Sequence, residues 1–410
     1  MKRKKLMLSL LAGALAISFI LFSTLLYFHR TPVARMKSLS RLTDYVESAS
    51  FAVDEAIRRT TGTNPPPLNI VSKPFQLKDA RIVTGASFLG KRVFMEKMRC
   101  GRVTDIRRGN FDGVSGDELA VAGTKRVFFL DDTGGTTASI VLKGNNNYIQ
   151  LIDLEGDSRC EFLNRGGFFK CATILDHNGN PILSLNARLN GSYMDDICSG
   201  DLDGDGVLDF VVGAGGGGGV SRIDKQGKVL WNMSDGNVWH VEMVDTDGDG
   251  CLEIVHSNAG GKITVRDKNG KVLSRAKPKL YFAFFSIVPW PDKGGRPHLL
   301  LAQDGYIWIL DFKGITIKKL EAPGVGSRGA PRGCFVKLKS DQPAYFAVLV
   351  DYDIAVDRAM LLVYDSSGGS VYQEVLGESS SSIFALPRGD SGTESLLVGG
   401  VDKIWEYNAR

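Results

Sequence analysis

An acidic nine-residue segment returns along this chain at a nearly constant interval, and each copy runs into a short apolar stretch. Asp201-Leu-Asp-Gly-Asp-Gly-Val-Leu-Asp209 precedes Phe-Val-Val-Gly. Asp245-Thr-Asp-Gly-Asp-Gly-Cys-Leu-Glu253 starts 44 residues later and precedes Ile-Val-His-Ser. Asp153-Leu-Glu-Gly-Asp-Ser-Arg-Cys-Glu161 starts 48 residues before the first, and Asn110-Phe-Asp-Gly, with Asp117 and Glu118 behind it, 43 residues before that. Beyond residue 253 the acidity fades but the interval persists, with segments from Pro289, Lys337 and Pro387 each leading into an apolar run. A second landmark keeps the same phase. It is a strand followed by a Gly-containing turn, at Arg222–Trp231, Val265–Leu273, Cys171–Gly179, Ile309–Gly314 and Leu362–Gly368.

Each unit therefore holds about four short strands in 43 to 50 residues, the arithmetic of a β-propeller blade. Seven units fit between residue 98 and the C-terminus. Helical solenoids need a 3.6-residue pattern, which these units lack. The last unit runs out of chain after Lys403-Ile-Trp-Glu-Tyr407, one strand short. Residues 75–97, with Ala80–Val83 and Arg92–Met95, are placed to supply that strand and close the ring. Composition agrees: 48 of 410 residues are Gly, above the usual share of about 7%, while Pro is only 14. The net charge of +4 argues against a nucleic-acid partner, and 5 His argue against a multi-histidine metal enzyme.

The acidic loops carry the chemistry. Carboxylates fall at positions 1, 3, 5 and 9: Asp201, Asp203, Asp205 and Asp209; Asp245, Asp247, Asp249 and Glu253; Asp153, Glu155, Asp157 and Glu161. Four carboxylates in nine residues repel one another unless a hard cation neutralises them. Ca²⁺ takes 6–8 oxygens, and the carbonyls of Val207, Cys251 and Arg159 at position 7 would add ligands. Gly206 and Gly250 occupy position 6, but Ser158 stands there in the third loop, which is expected to bind more weakly. The Asn110 loop is irregular and is expected to bind nothing. Flanking strands and the lack of Glu at position 12 exclude an EF-hand.

The N-terminus sets the compartment. Lys2, Arg3, Lys4 and Lys5 precede 23 uncharged residues, Leu6–Phe28, roughly 34 Å of helix and long enough to span a bilayer. The charge asymmetry places the N-terminus inside and the remainder outside the cytoplasm, in the periplasm or at the cell surface. A heptad-spaced stripe, Leu39, Leu42, Val46, Ala49, Val53 and Ala56, predicts a stalk helix that rests on the domain or the membrane, with self-association as the alternative, ended by Asn64-Pro65-Pro66-Pro67. The expected order is thus a cytoplasmic tail (1–5), a transmembrane signal anchor (6–28), a stalk helix and Pro-rich linker (29–73) and an all-β, seven-bladed propeller (74–410).

The segment Asp-x-Asp-Gly-Asp-Gly-x-x-Asp followed by an apolar-Val-Val-Gly run resembles the FG-GAP or VCBS repeat of integrin α-subunit propellers and many bacterial surface proteins. The resemblance covers residues 98–410, is specific in the second to fourth repeats, and survives only as a period in the last three. It implies a seven-bladed propeller with Ca²⁺ in the loops joining strands one and two, and a role in recognition, adhesion or scaffolding through a protein or glycan ligand on the propeller face. Gly-Lys-Val-Leu-Trp231 is similar to quinoprotein-like propellers and outer-membrane-assembly scaffolds. The alternative is an anchored carbohydrate-active lyase or hydrolase. A cluster of His, Arg and carboxylates at the channel mouth would favour the enzyme, and ordered acidic loops around a bare rim would favour binding.

The remaining features read as structure. Gly215–Gly219 is expected as a hairpin turn, and the five Trp as packing between blades. His240 and His256 are expected to pack within strands. Of six cysteines, Cys160 and Cys171 form the best local pair, while Cys100, Cys198 and Cys334 sit at or near innermost strands.

Overall fold

The computed structural model describes residues 83–410, apart from 112–116, 132, 145, 147, 158, 166–171, 186–187, 190–191, 259–260, 279, 281–284, 292–294, 324, 326–329 and 354–357. The expected anchor at 6–28 and the stalk at 29–73 lie outside the described residues. Among the described residues no helix is long and apolar enough to cross a membrane.

Seven antiparallel sheets follow one another along the chain. Blade 1 comprises Val103–Gly109, Glu118–Gly123, Arg126–Leu130 and Thr136–Val141. Blade 2 comprises Ile149–Ile152, Glu161–Asn164, Ala172–Leu175 and Pro181–Leu185. Blade 3 runs through Ser192–Gly200, Asp209–Ala214, Gly219–Ile223 and Val229–Met233, with Arg188–Leu189 added beside its first strand. Blade 4 holds His240–Val244, Glu253–Ser257, Ile263–Arg266 and Val272–Ala276. Blade 5 holds Ser286–Pro289, Pro297–Gln303, Tyr306–Leu310 and Thr316–Glu321. Blade 6 holds Arg332–Val336, Tyr345–Asp353, Arg358–Tyr364 and Ser370–Val375. Blade 7 has only Ile383–Pro387, Glu394–Gly399 and Lys403–Ala409 from its own stretch of chain.

Its fourth strand is Leu89–Glu96, which pairs with Lys403–Ala409 from Leu89↔Ala409 to Glu96↔Lys403. The ring thus closes through both ends of the propeller, as the missing strand predicted. One detail differs. Val83–Thr84 does not join blade 7 but pairs with Glu374 and Gln373 on the outer edge of blade 6. Gly85, at φ +75°, turns the chain between the two pairings. The first strands of blades 7 and 1 also meet, and the Ser382 hydroxyl donates to the Val103 carbonyl at 3.3 Å.

Packing follows the two-residue period of a strand. Phe210 and Val212 face blade 2, while Val211 between them faces blade 4. Leu119 and Val121 face blade 7, whereas Ala120 and Ala122 face blade 2. Because central strands bury both faces, they read as unbroken apolar runs. Seven apolar clusters among the described residues each join two adjacent blades, one per interface of the ring. Trp231 donates its indole N–H to the Lys268 carbonyl of blade 4, and Trp290 stacks edge-on against Phe335 and Phe346 of blade 6.

Each hairpin between the third and fourth strands of blades 1–6 uses one device. Asp131, Asp176, Asp224, Asp267, Asp311 and Asp365 each accept backbone N–H bonds from the residues two and four places on. The third residue on is always Gly, at φ 78° to 93°, which a side chain would strain. The Gly215–Gly219 run is the expected hairpin turn. A Cβ on Gly219 would run into the Met233 carbonyl oxygen.

Candidate metal loops and the channel cluster

The three acidic loops join first and second strands in blades 2, 3 and 4 and share one hydrogen-bond scheme. The position 1 carboxylate curls the loop around itself: Asp201 accepts from the N–H groups of Gly204 at 2.8 Å, Asp205 at 3.1 Å and Gly206 at 2.9 Å. Asp245 accepts from Gly248 and Gly250, and Asp153 from Gly156 and Asp157. The position 5 carboxylate accepts from position 7: Asp205 from Val207, Asp249 from Cys251, and Asp157 from Arg159. Glu253 and Glu161 at position 9 reach back to the N–H of Thr246 and Leu154. These position 9 groups are buried, and burial pushes the Asp209, Glu253 and Glu161 carboxyls up from their ordinary values. By contrast, the N–H groups of Gly250 and Gly248 hold the Asp245 carboxyl down.

The loops differ in what they gather. Asp201, Asp203 and Asp205 bring oxygens within 4.8 Å of one another, as do Asp245, Asp247 and Glu253. Such all-oxygen sets fit a hard divalent cation, with the exposed Val207 and Cys251 contributing backbone carbonyls at the loop tips. In the 153 loop, no three carboxylates converge in this way among the described residues; Glu155 lies 3.9 Å from Lys225 instead. In the 201 loop, Asp209 is not part of the trio. It is clamped by Arg222, through Nε at 2.8 Å and Nη2 at 2.7 Å, and the same Nη2 also pairs with Asp203. A protein cation thus occupies one side of that loop. Asp249 likewise lies outside the trio of its own loop.

Inside the ring, the innermost strands build a second polar site. A cavity of about 270 Å³ is lined by residues that include Asp105, Arg107, Tyr148, Gln150, Arg165, Glu242, Ser286 and Arg332. Arg165 pairs with Asp196 at 2.6 Å. Asp196 Oδ2 also lies 2.6 Å from His240 Nδ1, and Glu242 lies 3.4 Å from His240 Nε2. Burial would raise the Asp196 carboxyl, but Arg165 and His240 hold it at about 2. Burial would favour a neutral His240, yet the flanking carboxylates raise its pKa above the ordinary imidazole value. Arg107 pairs with Asp105 at 3.0 Å. Arg165 and Arg332 both lie against the Tyr148 ring, and Arg332 donates to its hydroxyl at 3.3 Å.

Loop reasoning missed this cluster, although a signal was present. Counting back from Asn110, Asp153, Asp201 and Asp245, the fifth residue is Asp105, Tyr148, Asp196 and His240. The third is Arg107, Gln150, Cys198 and Glu242. Polar residues two apart at the same phase in successive first strands mark one face, and in a propeller that face meets the axis. Both His240 and His256 are indeed buried in strands. Cys100, Cys160, Cys198, Cys251 and Cys334 carry free thiols, and Cys171, the expected partner of Cys160, lies outside the described residues.

Comparisons with known proteins place these features. Residues 195–230, which include the 201 loop and most of blade 3, match the family model of the FG-GAP repeat. No curated protein matches the chain significantly. Among solved structures, the crystal structure of BBS1N in complex with ARL6DN, soaked with mercury, contains a chain similar at 12% identity, with a TM-score of 0.49, covering 80% of this chain and 95% of that one. The WD40 domain of Neurospora crassa Pan2 is similar at 10% identity, with a TM-score of 0.46, covering 78% of this chain and 96% of that one. Within this seven-bladed β-propeller, the part that matches the FG-GAP repeat model is thus the third blade with its acidic loop.

Proposed function

We propose that this chain is a membrane-anchored, exported recognition or scaffold module whose propeller is braced by Ca²⁺ at the 245 and 201 loops. What carries the reading is the pair of carboxylate trios, Asp245, Asp247 and Glu253 and Asp201, Asp203 and Asp205, set at the same place on successive blades, the second of them within the stretch that matches the FG-GAP repeat. The 6–28 span supplies the anchor and places the ring outside the cytoplasm, where Ca²⁺ is abundant. The ion would be structural: it would neutralise the trios and hold the loops between first and second strands. A protein or glycan partner would bind the propeller face, and the stalk at 29–73 would support self-association.

The test is a melting curve of the purified chain across a Ca²⁺ titration. Sites with Kd of about 10⁻⁴–10⁻³ M would add about 0.4–1.4 kcal/mol each at about 1 mM Ca²⁺. Asp205→Ala and Asp247→Ala, each removing one member of a trio, should each reduce that gain and have little or the opposite effect in chelator. Mg²⁺ should substitute poorly, because it keeps its waters and demands octahedral geometry. Identical curves with and without Ca²⁺ would leave the loops as acidic turns only.

One observation favours a second reading. The channel cluster of His240, Arg165, Arg332, Asp196 and Glu242 is the kind of constellation expected of an enzyme platform. Propellers of FG-GAP repeats are nevertheless usually non-catalytic scaffolds, and recognition is the reading we prefer.

A further inference from the structure

We propose that the central channel binds a small hydroxylated carboxylate, gripped by Arg332 and Arg165 over the Tyr148 ring. The argument begins with charge. Arg107 is answered by Asp105 at 3.0 Å and Arg165 by Asp196 at 2.6 Å. Asp196 and Glu242 also flank His240 from its two ring nitrogens. Arg332, on the first strand of blade 6, is the exception. Among the described residues it has a single hydrogen bond, to the Tyr148 hydroxyl, and no ion pair within 4 Å; Glu242 and Asp105, which line the same cavity, act on it only from farther away. A guanidinium offers five N–H donors in a planar fork that matches a carboxylate. Holding one in a recess with no carboxylate in direct contact leaves most of its N–H donors without an acceptor, and an anion that reaches the fork would supply one.

The rest of the wall says what the anion carries. The Ser286 hydroxyl is 4% exposed, and neither it nor the Gln150 carbonyl oxygen has a hydrogen-bond partner among the described residues. Both residues line the same cavity as Arg332. The Gln150 oxygen needs a donor and the Ser286 hydroxyl can give or accept, which suits ligand hydroxyl groups. The cavity, at about 270 Å³, is below the roughly 300–1,000 Å³ of pockets for drug-sized ligands, which limits the occupant to a small molecule. The buried Arg165, held rigid by Asp196, gives the site a second fixed cation.

This names a ligand class for the recognition reading but rests on none of its Ca²⁺ loops, so chelator should leave it intact. The experiment is calorimetry on the full chain in mild detergent, with gluconate as the probe. Sorbitol serves as its uncharged counterpart, acetate as the carboxylate without hydroxyls and phosphate as an inorganic anion. Gluconate should bind at least tenfold more tightly than any of the three. Arg332→Gln should cost tenfold or more in gluconate affinity with its ligand-free melting temperature unchanged, and Arg332→Lys should recover part of the loss. Should Arg332→Gln prove unstable, Ser286→Ala supplies the second variant, with a smaller loss for gluconate and none for acetate. Equal binding of sorbitol, tighter binding of phosphate, no gluconate binding, or an Arg332→Gln protein that binds normally would each overturn the proposal.

Discussion

Blades 1–4 and blades 5–7 share one architecture but are held differently. In blades 1–4 the first strands and the loops after them carry charge: Asp105, Arg107 and Glu242 line the channel, Asp196 and His240 pair on the same strands, and the loops at 153, 201 and 245 are acidic. In blades 5–7 the channel positions are mostly Ser286, Ile287, Gly333, Ser381, Ser382 and Ile383, with Arg332 the charged exception. The corresponding segments from Pro289, Lys337 and Pro387 lack the carboxylate pattern. What blades 6 and 7 have instead is the chain's own N-terminal strand, Leu89–Glu96, together with Val83–Thr84. The repeat therefore specifies the blade, while the departures from it divide the ring into a half with charged channel strands and acidic loops and a half sewn up by strands from before the first repeat, whose ion pairs to Glu374 and Glu406 lie at the seam.

The largest effect should come from unpicking the seam. Without residues 83–96, the Lys403–Ala409 strand becomes an edge, and Ile404 and Tyr407, both buried, lose cover. The Lys91–Glu374 bridge at 2.7 Å, which ties blade 7 to blade 6, goes as well. Several buried apolar groups at roughly 1.5–3 kcal/mol each amount to more than about 5 kcal/mol, comparable with the whole stability of many domains. A deletion variant should show no cooperative melting transition, or one lowered by more than about 10 °C, by circular dichroism. A melting curve close to wild type would mean that the halves do not differ in this way.

The next effect belongs to the charged half. Arg222→Gln leaves Asp209, buried in blade 3, without the clamp that Nε and Nη2 provide. Breaking one partner of a buried pair costs roughly 3 kcal/mol. The same change removes a cation from beside Asp203, so Ca²⁺ affinity at the 201 loop should rise. Calorimetry should show the 201 site strengthened and the 245 site, where Thr246 rather than an arginine holds Glu253, unchanged. Equal Ca²⁺ affinities before and after the change would break the distinction between the two loops.

The sequence carried the ring because the blade repeat is a local signal: apolar runs, Gly turns and their interval are all visible without contacts. It carried the loop carboxylates for the same reason. It did not carry Arg222, which sits on the third strand and meets Asp209 only across the sheet, nor Arg165, whose partner Asp196 lies in the next blade. Both are pairings between separate strands, and nothing in the loop motif points to them. The strand at Val83–Thr84 was legible within Ala80–Val83, but its place on blade 6 was not: two paired residues are too few to show a register, and only the pairing with Gln373 and Glu374 reveals it.

The smallest effect tests the charged half from within one blade. His240 and His256 are both buried in blade 4, yet their surroundings push them in opposite directions. Burial disfavours charge at His240, but Asp196 and Glu242 overcome it and its pKa is raised. Burial also disfavours charge at His256. There burial is the largest influence and prevails over Asp235, 3.1 Å from Nε2, while Arg266 adds to the lowering, so the pKa is lowered. The signs follow from linkage. The His240 contribution is complete below the unfolded value of about 6.5 and is lost as pH rises through the raised folded value. The His256 contribution is present above about 6.5 and is lost as pH falls through the lowered folded value. Urea midpoints measured from pH 5 to 8 should therefore change slope in opposite directions in the two variants. His240→Gln should flatten the alkaline limb, and His256→Gln the acidic limb. If both variants flatten the same limb, the channel carboxylates do not hold His240 charged, and the charged half loses its central contact.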